Sequence, residues 1–295
     1  MEYEKLIYTN ERGESIELGV NSVYHCNVSK DVTGISDVNN TIYSSNSMGQ
    51  HGDTYVGQRI EPRNISVTGY INTRNKAQAF NLRRKALKIL NPELQGQLTY
   101  VYEDFTRIID CRVDASPEFY KKQVLIQFDI TFNCLNPFWK EETETKEDIA
   151  SWVAAWEFPC EIEKDNDESM FFGYREDSVI VDCYNTGDVS TGMRIRFTAL
   201  GEVNTPILLN VNTQEFIKIN ATMQQGDVIE ITTEYGRKGA TLTRKGEQSD
   251  FFRYIDVDST FMQLEIGDNI FRYDAESGVD LLEVSLFYNA KYLGV

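Results

Sequence analysis

From Val124 to Phe132 the chain reads VLIQFDITF, with Phe128, Ile130 and Phe132 alternating with Gln127, Asp129 and Thr131. A period of two over β-branched and aromatic residues predicts a half-buried strand. Asn136-Pro137 stops it, since proline cannot donate to a ladder and drives its predecessor into extended or turn geometry. Phe138 and Trp139 follow at once, and then KEETETKED, a charged run with no core-forming residue. This combination predicts a domain boundary near residue 140, with Pro137, Phe138 and Trp139 as an aromatic anchor at the junction.

The same alternation appears upstream. Leu6 to Tyr8, then Ile16, Leu18 and Val20 after a turn at Asn10–Glu14, predict short strands, as do Pro62 to Ile71, Leu98 to Tyr102, Thr106 to Val113 and Gln123 to Phe132. The period changes between Asn75 and Leu90. There Ala79, Leu82, Ala86 and Leu90 share one helical face, widened by Phe80 and Leu87, with Thr73 or Asn75 as cap and Asn91-Pro92 as stop. The other face carries Arg74, Lys76, Arg83, Arg84, Lys85 and Lys88, a solvated face or a docking patch for an acidic partner.

Residues 35–58 differ from their surroundings, being polar and turn-rich, with Gly49, Gly52 and Gly57 near the end. Two extended segments joined at Gly49 to Asp53 are expected, the glycines permitting positive φ at the tip. Ile42, Tyr43, Met48, Tyr55 and Val56 are too apolar for a free loop. Two readings stand open, a surface loop and a hairpin arm gripping a neighbouring subunit. Beyond the acidic linker, short alternating stretches recur at regular spacing (Ser178 to Tyr184, Met193 to Ala199, Ile207 to Asn210, Phe216 to Ile219, Val228 to Thr232, Leu281 to Tyr288). Turns containing Gly187, Gly226 and Gly267, each followed by Asp and each expected at positive φ, separate them. The pattern is mainly β, with two antiparallel β-sandwich domains at 1–140 and 141–295, the first with a single α-helix and a long hairpin arm.

Composition narrows the function. A hydrophobic fraction of 41% and a charged fraction of 25% are those of a globular chain. The net charge of −17 argues against general nucleic-acid binding, which relies on Lys and Arg displacing counterions from phosphate. Five scattered cysteines without a CxxC pair read as buried free thiols rather than a disulfide framework or zinc site. No long uncharged apolar run and no signal pattern at Met1–Lys5 are found, so cytoplasmic synthesis and no membrane insertion are expected.

Catalytic motifs are missing. No G-x-S-x-G elbow, P-loop or H-E-x-x-H occurs, and His25 reads as a satisfied structural histidine. Asp165 to Ser169 opens like a calcium loop but lacks the glycine and the distal glutamate, so it reads as a solvated turn. No catalytic residue, cofactor or metal is expected.

The order of the quoted pieces resembles the distal tail proteins of long-tailed phages, the siphovirus-type tail component family. The stretches that carry it are MGQHGDTYVGQRIEPRNISVTGYI (48–71), RRKALKILNPELQGQLTY (83–100), CLNPFWK (134–140), NTGDVSTGMRIRFTALG (185–201), NTPILLNVNTQEFIKIN (204–220), GDVIEITTEYGRKGATL (226–242), DSTFMQLEIGDNIFRYDAESG (258–278) and LFYNAKYLGV (286–295). The resemblance implies a ring-forming N-terminal domain, usually in six copies, with the 35–58 arm as subunit contact (Ile42, Tyr43, Met48, Gly49, Gly52, Asp53, Tyr55, Val56). It implies a galectin-like C-terminal sandwich and no enzymatic activity. The ring would join tail tube protein to tail tip or baseplate proteins, with DNA only passing through the lumen. Such a protein belongs to the virion tail, or a phage-derived tail particle, assembled in the bacterial cytoplasm. The alternative is a carbohydrate-binding module of a host-recognition device.

Overall fold

The computed structural model describes residues 4–73, 75–122, 125–149, 152–154, 173–175 and 180–295. Arg74, Trp156, Phe158, Pro159, Cys160 and Asp165 to Ser169 lie outside them, as does the side chain of Trp152. The chain forms two compact units, Met1–Glu142 with Lys291–Val295, and Thr143–Ala290. The last five residues therefore belong with the first unit, where the sequence boundary assigned them to the second. They return because Lys291–Tyr292 pairs with Trp139–Lys140.

The first unit contains β1 (Lys5–Asn10), β2 (Ser15–Gly19), β3 (Tyr24–His25), α1 (Val28–Asp31), β4 (Val32–Thr33), β5 (Asn40–Ser45), β6 (Thr54–Ile60), β7 (Arg63–Ile71), α2 (Lys76–Ile89), β8 (Gln95–Tyr102), β9 (Phe105–Val113), β10 (Glu118–Lys122), β11 (Leu125–Cys134) and β12 (Trp139–Lys140). Strict alternation makes these strands: along β7 and β11, every second residue from Ile65 to Ile71 and from Phe128 to Cys134 is buried. The order β11-β7-β3-β2-β1-β8-β9 returns to β11 through Phe132↔Val113 and Asn133↔Arg112. The two-sheet sandwich expected here thus takes the form of a sheet closed on itself, which removes most of its free edges. Leu6, Tyr8, Leu18, Ile65, Leu98, Phe128, Phe132 and Trp139 fill its core.

Asn75 caps α2, its side chain accepting from the amides of Ala77 and Gln78, while Thr73 Oγ1 accepts from the Asn75 amide. The helix buries Ala79, Ala86 and Ile89, with Leu90 at its end and Leu82 half-buried. Phe80 and Leu87, expected to widen that face, are exposed. Small Ala79 and Ala86 let the helix lie close to the sheet, leaving both residues, seven apart, on its flank. A second helix, the single turn α1, adds to the one expected.

The second unit contains β13 (Thr145–Asp148), β14 (Trp152–Ala154), β15 (Gly173–Arg175), β16 (Ile180–Asn185), β17 (Met193–Ala199), β18 (Val203–Asn210), β19 (Phe216–Lys218), β20 (Thr222–Met223), β21 (Val228–Thr232), β22 (Gly239–Arg244), β23 (Glu247–Asp250), β24 (Gly267–Ser277) and β25 (Leu282–Tyr288), before β26 (Lys291–Tyr292) rejoins the first unit. One sheet runs β13-β25-β17-β21-β22-β23, the other β16-β24-β18-β19 with β20 on β18. Their inward rows, including Ile195, Phe197, Leu208, Ile231, Phe271 and Leu286, form one core, as in a two-sheet sandwich. Gly226 and Gly267 have positive φ. Gly187 does not share it; its amide instead donates to Asn185 Oδ1 in an Asx turn.

Candidate assembly interface

β5 and β6 pair with each other and, among the described residues, with no other strand, so residues 40–60 leave the barrel as a two-stranded arm. Six to seven residues at strand rise make it about 20 Å long. The register runs from Asn40↔Ile60 to Tyr43↔Gly57, then shifts so that Ser44 faces Tyr55 and Val56 is the extra residue. The bulge reverses the alternation of β6. By strand parity, Tyr55 thereby joins Ile42 and Ile60 on one face, while Tyr43 lies on the other.

The tip is built from side chains rather than packing. Ser44 Oγ donates to Asp53 Oδ2 at 2.9 Å, Gln50 Nε2 donates to Thr54 Oγ1 at 2.9 Å, and the Gln50 amide donates to the Ser47 carbonyl at 3.0 Å. Gly49 and Gly52 take φ of 87° and 76°, which only glycine adopts readily. The apolar residues of the arm are exposed. Ile42, Tyr43, Met48, Tyr55 and Val56 are 49–106% exposed. Such a cluster on a polar stalk is the mark of an interaction site.

The root of the arm is held firmly. Gly34 has a φ of +85°, and a Cβ there would stand 2.0 Å from the Asn64 carbonyl oxygen. The next carbonyl, that of Ile35, accepts from Trp139 Nε1 at 3.0 Å and also from the Arg63 guanidinium. Arg63 is buried and donates as well to Gly34 O (3.2 Å) and Leu293 O, while Ser36 Oγ donates to Val295 O at 2.9 Å. Pro137 and Trp139 are buried and Phe138 half-buried, with the Trp139 indole edge-on to Tyr100 in the first unit's core. Sequence reasoning missed Arg63 and the C-terminal residues. An arginine on the inward phase of β7, in step with Ile65 and Val67, was the signal available.

Other candidates are accounted for locally. His25 Nδ1 lies 2.7 Å from the Val20 carbonyl. On α2, Lys88 pairs with Glu14 and Arg83 lies 5.1 Å over the Phe119 ring, whereas Lys76, Arg84 and Lys85 are exposed. In the second unit, Ile207, Leu209, Phe216, Lys218, Arg272 and Asp274 line an open cleft of about 390 Å³ on the outer face of the five-stranded sheet. Among the described residues no group of three or more His, Cys, Asp or Glu is placed to hold a metal.

A closed barrel with two helices and a projecting arm, followed by an antiparallel sandwich, is the architecture that the family matches identify as a phage tail component. Residues 5–134 match the family described as phage tail protein RIFT-related domain, and residues 186–292 the siphovirus-type tail component, C-terminal domain. The chain belongs to the siphovirus-type tail component family and is a structural protein of the phage tail. Among curated proteins none matches it. The crystal structure of SPP1 Dit (gp 19.1), called a paradigm of hub adsorption apparatus in phages infecting Gram-positive hosts, superposes with a TM-score of 0.67 at 12% identity over 97% of this chain and 98% of that one. The phage P2 baseplate in its activated conformation with Ca gives 0.53 at 14% identity over all of both chains. With Sr it gives 0.51 at 13% over 99% of each.

Proposed function

We propose that this tail component assembles into a closed ring of about six copies at the distal end of the tail, joining tube to tip or baseplate. The arm is the clasp. Its five exposed apolar side chains, on a two-stranded stalk that forms a sheet of its own, carry this reading. A neighbour in a cyclic assembly covers such an arm in every copy and leaves no unmatched surface. At roughly 25 cal/mol per Å² of apolar area, a few of these side chains contribute several kcal/mol per contact before ordering costs. Pro137, Phe138 and Trp139 serve it from behind as the anchor beside the domain boundary, Trp139 fixing the root from which the arm projects.

DNA passes through the lumen without being held. The net charge of −17 supports that role, because carboxylates neutralise no phosphates. The protein assembles in the bacterial cytoplasm with the tail tube and tip proteins and carries no catalytic function. Native mass measurement on the intact chain tests the reading: a particle near six subunits supports it, and a monomer at all concentrations overturns it.

A second reading, a carbohydrate-binding module, draws on the Phe216 cleft, where a ring borders Lys218, Arg272 and Asp274. Its apolar floor, Ile207 and Leu209, suits a sugar less well than the arm suits a neighbour. A monomer that binds a glycan array, and loses binding in Phe216→Ala, would favour it.

A further inference from the structure

The seam where the barrel closes carries two thiols. β9 and β11 are joined there by only two residue pairs, Phe132↔Val113 and Asn133↔Arg112. One step further along the antiparallel register, Cys134 comes opposite Cys111. Both are free and buried. Directly opposite residues in antiparallel strands have Cα atoms about 4.5–5.5 Å apart, inside the range of about 4.4–6.8 Å that a disulfide spans. A third group completes the cluster. Arg63 pairs directly with Cys134 across β7 and β11, and its buried Nε has no hydrogen-bond partner.

We propose that Cys111 and Cys134 are an oxidisable dithiol, whose conversion to a disulfide cross-links the seam at which the barrel closes. The cross-link joins strands otherwise held by two pairs, so it reinforces the closure where the ladder is shortest. It suits a protein made under reducing conditions and used outside the cell.

The oxidant is a small-molecule disulfide. A Cys134 thiolate attacks one of its sulfurs, forming a mixed disulfide and releasing one thiolate, which takes up a proton from solvent. Cys111 then loses its proton and attacks the Cys134 sulfur, forming the protein disulfide and releasing the second thiol. Two hydrogens leave the protein and the small disulfide is reduced to two thiols. The order follows from the surroundings. Cys111 lies inside β9, which continues to Val113, whereas Cys134 is the last residue of β11. Leu135, exposed and adjacent to Cys134, places that thiol at the end of its strand, where local opening admits the reagent.

Treating the intact protein with oxidised glutathione, then digesting it without reductant, tests this. A peptide pair joined through Cys111 and Cys134, a mass lower by two hydrogens and a raised melting temperature are expected. Cys111→Ser should stop at a glutathione adduct on Cys134, and Cys134→Ser should form far less adduct. Linkage through other cysteines, stable adducts in the unsubstituted protein, or a preferred adduct on Cys111 would each overturn the proposal. The readout on unsubstituted protein stands even where a serine variant fails to fold.

Discussion

Trp139 and Ile35, 104 positions apart, are tied by a hydrogen bond from the indole Nε1 to the Ile35 carbonyl at 3.0 Å. Arg63 donates to the same oxygen, so one backbone carbonyl gathers the aromatic side chain, a buried cation and the root of the arm. Trp139→Ala should cost on the order of 3–5 kcal/mol by opening a cavity in the first unit's core. Trp139→Phe keeps most of the packing and removes the donor, so about 1 kcal/mol is expected. Denaturant unfolding of both variants measures the two contributions, and a Trp139→Phe loss near zero would show that the hydrogen bond contributes nothing separable.

Gly34 and Gly226 separate two reasons for a glycine. Both have positive φ, but a Cβ at Gly34 would collide with the Asn64 carbonyl, whereas one at Gly226 meets nothing within 4 Å. Gly226→Ala should therefore cost about 1 kcal/mol from backbone conformation alone. Gly34→Ala should cost clearly more and disturb the arm root. Melting temperatures in the reverse order would contradict the geometry.

Asp227 gives the second unit an acid-sensitive contact. Its buried carboxylate accepts from Arg244 Nε at 2.8 Å and from the Gln224 amide at 2.8 Å. The Arg244 hydrogen bond, partly opposed by burial, holds its carboxyl below the ordinary value of 3.8. A carboxyl depressed in the folded state adds stability above its unfolded pKa and loses it as pH falls through the folded one. Because Arg244 is 43% exposed, the contribution is discounted to about 1 kcal/mol. Asp227→Asn should destabilise at pH 7, and the difference should shrink below about pH 4. A difference constant with pH would exclude the charge as its source.

Local rules were legible in the sequence, and long-range ones were not. The period of two foretold β7 and β11, and Thr73, Asn75 and Pro92 bracketed α2, because strand alternation and capping act within a few residues. The arm announced itself through glycines at its tip and apolar residues without a core. The root did not, because Arg63 reaches carbonyls 28 and 230 positions away. Barrel closure rests on two pairs between β9 and β11, too few to mark either strand. The return of Lys291–Val295 depends on β12, two residues long. Phe80 and Leu87 misled because helical spacing fixes which residues share a face and leaves its buried width to the sheet beneath.

The clasp itself is tested most directly by removing it. Replacing residues 40–56 with a short Gly-Ser turn leaves the root contacts of Ile35, Arg63 and Trp139 in place, so the protein should fold. Sedimentation of this variant beside the intact chain is the decisive measurement. The arm-clasp account predicts a ring for the intact protein and a folded monomer for the deletion; a deletion variant that still assembles would contradict it.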